Sequence, residues 1–336
     1  MNHSKKRSLL FAIKLLCSIA IFVCMFILAI VLGAADTSLK DVWMALTSRE
    51  VTETLSMIRE IRLPREIAGM LVGAALAVSG AIMQGITRNP LADPSLLGLT
   101  TGANAALAFT LAFLPSAGYL GIMAACFIGA AAGALMVFGI AATQKGGFSP
   151  LRIVLAGAAV TAFLYALGEG VALLFKISKD VSMWTAGGLM GTTWEQVGAI
   201  APVILAGTLA SIVLSKQLTV LSLNEEVAAG LGQRTVYIKG ILFVIIILLA
   251  GASVALVGNL TFVGLMIPHI VRSIVGRDYR HIIPVSAILG AAFMLAADTI
   301  GRTLHPPYET PVAAIIAILG LPFFLIIVRK GGKVLK

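Results

Sequence analysis

The sequence predicts an all-α polytopic membrane protein of about ten transmembrane helices, with both termini on the cytoplasmic side. Three observations predict it. Of 336 residues, 59% are hydrophobic and only 12% charged, against about 25% charged in an ordinary soluble domain, and the mean hydropathy is +1.01. Apolar runs recur that reach the roughly 20 residues needed to cross about 30 Å of hydrocarbon. The 34 glycines fit close helix-to-helix approach in a bilayer.

The elements follow in order. The first run, Leu9 to Gly33, comes after Lys5, Lys6 and Arg7; at about 25 residues it exceeds a signal-peptide core, so it reads as a retained first helix. Charged and Pro/Gly-rich breaks place the other spans near 65–86, 95–114, 119–142, 152–174, 196–214, 237–257, 261–276, 282–303 and 311–328. The span at 261–276 is short for a simple crossing. With the N-terminus inside, most of the 25 Lys and Arg fall in cytoplasmic loops, including the closing "RKGGKVLK", as the positive-inside rule requires. The whole chain, 1–336, reads as a single transmembrane domain.

Composition also excludes functions. The net charge of +10 is scattered between apolar spans and not gathered in a groove, which argues against nucleic acid. Cys17, Cys24 and Cys126 lie inside apolar runs with no metal or redox spacing and read as packing residues. Neither a phosphate-binding G-x-x-x-x-G-K-[ST] loop nor H-E-x-x-H is present, so the chain supplies no ATP hydrolysis by that route and no helical zinc pair. Glu169, His269 and Asp298 are the chief ionisable groups in or near the spans. As buried carboxylates, Glu169 and Asp298 fit either hydrogen-bonded packing or an ion relay; the relay would make this an ion-driven secondary transporter.

Two stretches stand apart. "SLNEEVAAGLGQR", Ser222 to Arg234, is too short and polar to cross a membrane. Ser222 and Glu225 match the S-x-x-E capping box, Leu223, Val227 and Leu231 form a stripe at a spacing of four, and Gly230 and Gly232 offer helix stops. A connector lying on the bilayer and a docking helix for a soluble partner both fit. In "RLPREIAGMLVGAALAVSGAIMQGITRNPLADPSLLG", Arg62 to Gly98, Arg62 and Arg65 flank a helix-starting proline just outside the second span. They can hold phosphate headgroups or meet an acidic partner. Gly69 and Gly73 form a small-residue packing face.

"RLPR", "GAALAVSGAIMQGITRNPLADPSLLG", "GNLTFVGLMIPHIVR" and "ILGLPFFLIIV" together resemble the FecCD/BtuC-type permease family, the membrane subunits of bacterial ABC importers for iron-siderophores, haem and vitamin B12. The resemblance runs from about Arg62 to the C-terminus. It implies a multi-pass permease of the bacterial cytoplasmic membrane that moves a ferric siderophore, with haem or vitamin B12 as alternatives. The implied partners are a second permease subunit, a cytoplasmic ABC ATPase dimer that binds the ATP and Mg, an extracytoplasmic binding protein and membrane lipid; the chain itself binds no cofactor. The family's coupling loop falls at about 215–236 and makes Leu223, Glu225, Glu226, Ala228, Ala229, Gly230 and Gly232 candidates for ATPase coupling. Outer arginines for binding-protein docking map to Arg62, Arg65 and Arg302, and the cytoplasmic gate to Ser149, Pro150 and Leu151. Some members carry small hydroxyl residues at that constriction, whereas this chain has a proline and a leucine after the serine.

Overall fold

The computed structural model describes residues 3–33, 37–143, 150–306 and 308–331. Among these, fifteen α-helices follow one another: α1 (His3–Val31), α2 (Leu39–Thr47), α3 (Glu53–Met57), α4 (Leu63–Thr87), α5 (Leu99–Phe113), α6 (Tyr119–Thr143), α7 (Pro150–Leu174), α8 (Ser178–Thr185), α9 (Trp194–Val213), α10 (Ser215–Leu223), α11 (Glu225–Gly230), α12 (Thr235–Val257), α13 (Val263–Val275), α14 (Tyr279–Thr303) and α15 (Val312–Gly331). A π turn at Ile58–Arg62 leads into α4, and a 3-10 turn at Pro94–Leu97 precedes α5. Seven helices are long and apolar enough to cross a membrane, and three shorter apolar ones, Leu99–Phe113, Val263–Val275 and Val312–Ile327, occupy the remaining expected positions. The protein is therefore a multi-pass, all-helical membrane protein. α13 has 13 residues, about 20 Å at 1.5 Å per residue, so the short reading of that segment holds.

The helices form two compact units: 1–81 with 188–201 and 261–336, and 82–187 with 202–260. In the first, α4 is the buried element. The most apolar window of its span is 83% buried, whereas that of α1 is 17% buried. Glycine makes this possible. A Cβ on Gly73 would strike the Gly290 carbonyl and lie 2.6 Å from Met294 Cβ, one on Gly69 would lie 3.0 Å from Leu189 Cδ1, and one on Gly80 would strike the Gly264 backbone. Backbone thus touches backbone where α4 meets α13 and α14, the arrangement that small residues permit when lipid supplies no hydrophobic drive. The pairs Gly73 with Gly290, Gly69 with Met294 and Arg65 with Asp298 run in opposite directions along the two helices, so α4 and α14 are antiparallel.

The second unit repeats the device. Gly102 of α5 and Gly129 of α6 meet backbone to backbone, and Gly157 of α7 meets the Leu96 carbonyl. Gly251 of α12 lies against the Phe127 ring. The entry to α5 is set by "RNPLADPSLLG". Asn89 Oδ1 accepts from Leu91 N at 2.9 Å and Asp93 Oδ1 from Ser95 N at 2.8 Å, and the turn closes on Gly98 at φ 70°. That left-handed angle favours glycine. Burial raises the Asp93 carboxyl above its usual range despite the Ser95 hydrogen bond.

Gly80→Val forces α4 away from α13. We expect a loss of about 1–3 kcal/mol or more, read as a lower unfolding temperature in detergent, whereas Gly230→Ala, whose added Cβ would meet open space, leaves it unchanged to within about 1 kcal/mol.

Candidate functional site

The loop that joins α9 to α12 is built as a rigid presentation of one short helix. α10 ends at Asn224, whose backbone is extended at φ −159° and ψ 143°, and whose Oδ1 accepts from Glu226 N at 3.0 Å. Asn224 is therefore the N-cap of α11, and the expected box between Ser222 and Glu225 does not form. Ser222 sits inside α10 and donates its hydroxyl to the Thr219 carbonyl at 2.8 Å, the backbone bond that a helical serine makes when no free amide faces it. At the other end Gly232 takes φ 80°, with Gly232 N donating to Ala229 O at 2.9 Å and Gln233 N to Ala228 O at 3.0 Å. This is a Schellman stop, so Gly232 ends the helix and Gly230 is its last residue.

Two further ties fix α11 on its neighbours. Lys239 Nζ of α12 donates to Glu225 Oε2 at 2.6 Å, and Gln233 Nε2 donates to the Gln217 carbonyl of α10 at 3.0 Å. Ala228 is fully buried beneath the helix. The stripe at a spacing of four faces outward: Leu223 is 69% exposed, Val227 48% and Leu231 71%. Val236 and Tyr237 extend the exposed apolar surface, and Glu226, Ala229 and Gly230 are exposed around it. Covering a side chain such as leucine or valine contributes about 1.5–3 kcal/mol.

The expected docking arginines stand elsewhere, in the first unit, and are not free cations. Arg62 Nη1 donates to the carbonyls of Ile30 at 2.6 Å and Val31 at 3.1 Å and to Thr37 Oγ1 at 2.7 Å. Arg302 Nη2 donates to the Ala29 carbonyl at 3.0 Å and to Glu66 Oε1 at 2.5 Å, and its Nε lies 3.0 Å from Asp298 Oδ2. Arg65 spans two carboxylates, with Nη2 at 2.8 Å from both Asp298 Oδ1 and Glu309 Oε2. Arg62 and Arg302 are buried, at 5% and 6% exposure, and the Arg65 side chain reaches 11%. The expectation of outward-facing arginines is corrected for a physical reason. The last carbonyls of α1 have no partners within their own helix, and Glu66 and Asp298 are buried carboxylates that require counter-charge.

Asp298 is thus ion-paired packing. Glu169 is exposed on α7 and is not a buried carboxylate; its neighbour Gly168 packs on Ala105. Ser149 lies outside the described residues, as do the side chains of Pro150 and Leu151. Two site residues escaped the sequence reading, Glu66 and Glu309. Glu66 stands three and seven residues before Gly69 and Gly73, on the face that packs, and that spacing was the available signal. Nothing local marks Glu309, whose partner Arg65 lies 244 residues away.

The FecCD transport family matches residues 21–330. The iron(3+)-hydroxamate import system permease protein FhuB of Bacillus subtilis (strain 168) is 43% identical over 307 residues, covering 91% of this chain and 80% of that protein. The Fe(3+)-citrate import system permease protein YfmD of the same organism is 40% identical over 332 residues, 98% of this chain and 99% of that one. A solved structure described as an inward-facing conformation of a metal-chelate type ABC transporter superposes with a TM-score of 0.82 at 25% identity, covering 94% of this chain and 98% of the other.

Arg302→Ala leaves Glu66 buried without its cation, and breaking such a pair costs about 3–5 kcal/mol. We expect a matching fall in thermal stability, partly restored by Glu66→Gln in the same protein, because a neutral amide needs no counter-charge. No restoration would mean that the ion pair is not what Arg302 contributes.

Proposed function

Because the chain belongs to the FecCD transport family, we propose that it is the permease subunit of an ATP-driven importer that carries a ferric siderophore across the bacterial cytoplasmic membrane. The whole chain acts as one transmembrane domain whose ten apolar helices all cross, with both termini in the cytoplasm. A second permease subunit completes the pathway, and a cytoplasmic ATPase dimer binds ATP and Mg. An extracytoplasmic binding protein delivers the iron complex. Relatives named for iron(3+)-hydroxamate and Fe(3+)-citrate import support the substrate class.

The observation that carries the reading is the set of exposed apolar side chains on and beside α11, Val227 within it and Leu223 and Leu231 flanking it, on a helix capped at both ends and tied to its neighbours. A polar connector has no use for such a face. An ATPase groove would bury it, and closure of the ATPase dimer on ATP would then move α11 and, through the Glu225–Lys239 ion pair and Gln233, the helices on either side. Leu223, Glu226, Ala229 and Gly230 form the contact surface; Glu225, Ala228 and Gly232 hold its shape. To Arg62, Arg65 and Arg302, in the first unit, we assign a supporting role. They fix the ends of α1, α4 and α14 and the Glu309 loop where the binding protein docks, and electrostatics there governs register more than affinity. The constriction at Ser149, Pro150 and Leu151 is assigned to the inner gate.

Val227→Ser with Leu231→Ser removes the face while leaving every cap intact. In the reconstituted complex it is expected to lower binding-protein-stimulated ATP hydrolysis and uptake together, by roughly tenfold or more if about 1.4 kcal/mol or more of contact is lost; stimulation at the wild-type level would refute the coupling role. Glu225→Lys is a poorer probe, since it sets two cations against each other at Lys239. For the substrate, stimulation by ferric hydroxamate or ferric citrate with the cognate binding protein supports the iron assignment, and stimulation by haem or cobalamin alone overturns it.

A further inference from the structure

The segment between α1 and α4 carries an exposed apolar face of its own. On α2, Leu39, Trp43 and Leu46 are 62%, 68% and 59% exposed, and their spacing of four and three puts them on one side of the helix. The other side is packed: Ala45 is buried in a cluster with Ile30, Leu55, Ile58 and Leu63, with Val42 and Met44 against it. The helix is held in this rotation at both ends. Ser38 and Asp41 form a reciprocal capping box, and those bonds hold the Asp41 carboxylate below its usual range. Arg59 closes the C-terminal end, its Nε donating to Ala45 O at 2.7 Å and its Nη2 to Ser48 O at 2.5 Å, while Nη1 reaches Glu50 O at 2.7 Å. Arg59 is held in turn, because its own carbonyl accepts the Trp194 indole N–H at 2.9 Å.

We propose that α2 is an interfacial anchor, its outward face seated in the headgroup and acyl boundary of the bilayer beside the end of α1. Three observations select lipid as the occupant. The face lies beside other exposed apolar surface, since α2 packs against α1, near whose end Leu28 and Leu32 are 39% and 44% exposed while Phe26 and Ile30 join the packed side of α2. Trp43 has no hydrogen-bond partner for its indole N–H among the described residues, in contrast to Trp194. An amphipathic ring with a free donor is the group that settles at a membrane interface. Lys40, exposed on the flank beside Trp43, supplies a cation at phosphate level, as interfacial helices do. The anchor would hold the π turn and the Arg62 end of α4 at a fixed depth.

Trp43 is its own reporter. The intact complex is placed in nanodiscs containing phosphatidylcholine brominated either high on the acyl chain or near its end, and the emission of the Trp43→Phe protein is subtracted from that of the wild type. A ring at about 5–10 Å depth predicts a roughly twofold loss of the difference emission with shallow bromines, a smaller loss with deep ones, and little quenching by aqueous iodide. Iodide quenching with no bromine effect overturns the proposal. So does iodide quenching abolished by the binding protein, since the face would then be a protein contact.

Discussion

A hydrocarbon core offers no hydrogen bonds, so every charge and every orphan carbonyl that this chain buries has to find its partner inside the chain. The cluster of Arg62, Arg65 and Arg302 with Glu66, Asp298 and Glu309 meets that demand at one end of the first unit. Arg65 and Arg302 pair with the three carboxylates, while Arg62 and Arg302 also satisfy the last carbonyls of α1. Guanidinium suits the task, since one planar fork can serve a carboxylate and a backbone carbonyl together. The α4–α14 pairing depends on it as well: glycine contacts let the backbones approach along the helices, and the ion pairs close the same interface at its end.

The two exposed apolar faces contrast with that enclosed cluster. α11 and α2 are both short, both capped by side chains, and both tied down by a cation, Lys239 in one case and Arg59 in the other. Neither could be stable alone at such length. Each is therefore positioned by its packed side, Ala228 beneath α11 and Ala45 beneath α2, so that the opposite side can remain uncovered until something outside the chain covers it. The difference lies in what flanks them. Glu225 and Glu226 lie between Leu223 and Val227 at α11, whereas Lys40 flanks a face on α2 that includes Trp43, which fits a protein groove in the first case and a headgroup layer in the second.

The sequence made the helices legible because bilayer thickness imposes run length, and all ten expected segments coincide with apolar helices. Gly69 and Gly73 were legible as a packing face for the same reason: nothing else explains small residues four apart in a span. Polar detail was harder to read. Ser222 fits a capping pattern, but Asn224 two residues later offers the shorter Asx closure and wins. Arg62 and Arg302 look like surface cations because nothing local reveals that α1 ends beside them with open carbonyls. Glu169 looks buried within an apolar run, yet it lies about 100° round the helix from Gly168, which packs. Run length is a local property; satisfaction of polar groups is set by neighbours hundreds of residues away.

The central claim is that α11 works as a handle for an ATP-driven partner. A photoreactive side chain in place of Leu231, in otherwise intact cells, tests it most directly, with the crosslinked product identified by mass spectrometry. The product is expected to be a cytoplasmic ATPase, with a yield that changes when ATP hydrolysis is arrested. Crosslinking to lipid alone, or uptake that continues without any ATPase and collapses with the ion gradient, would contradict it.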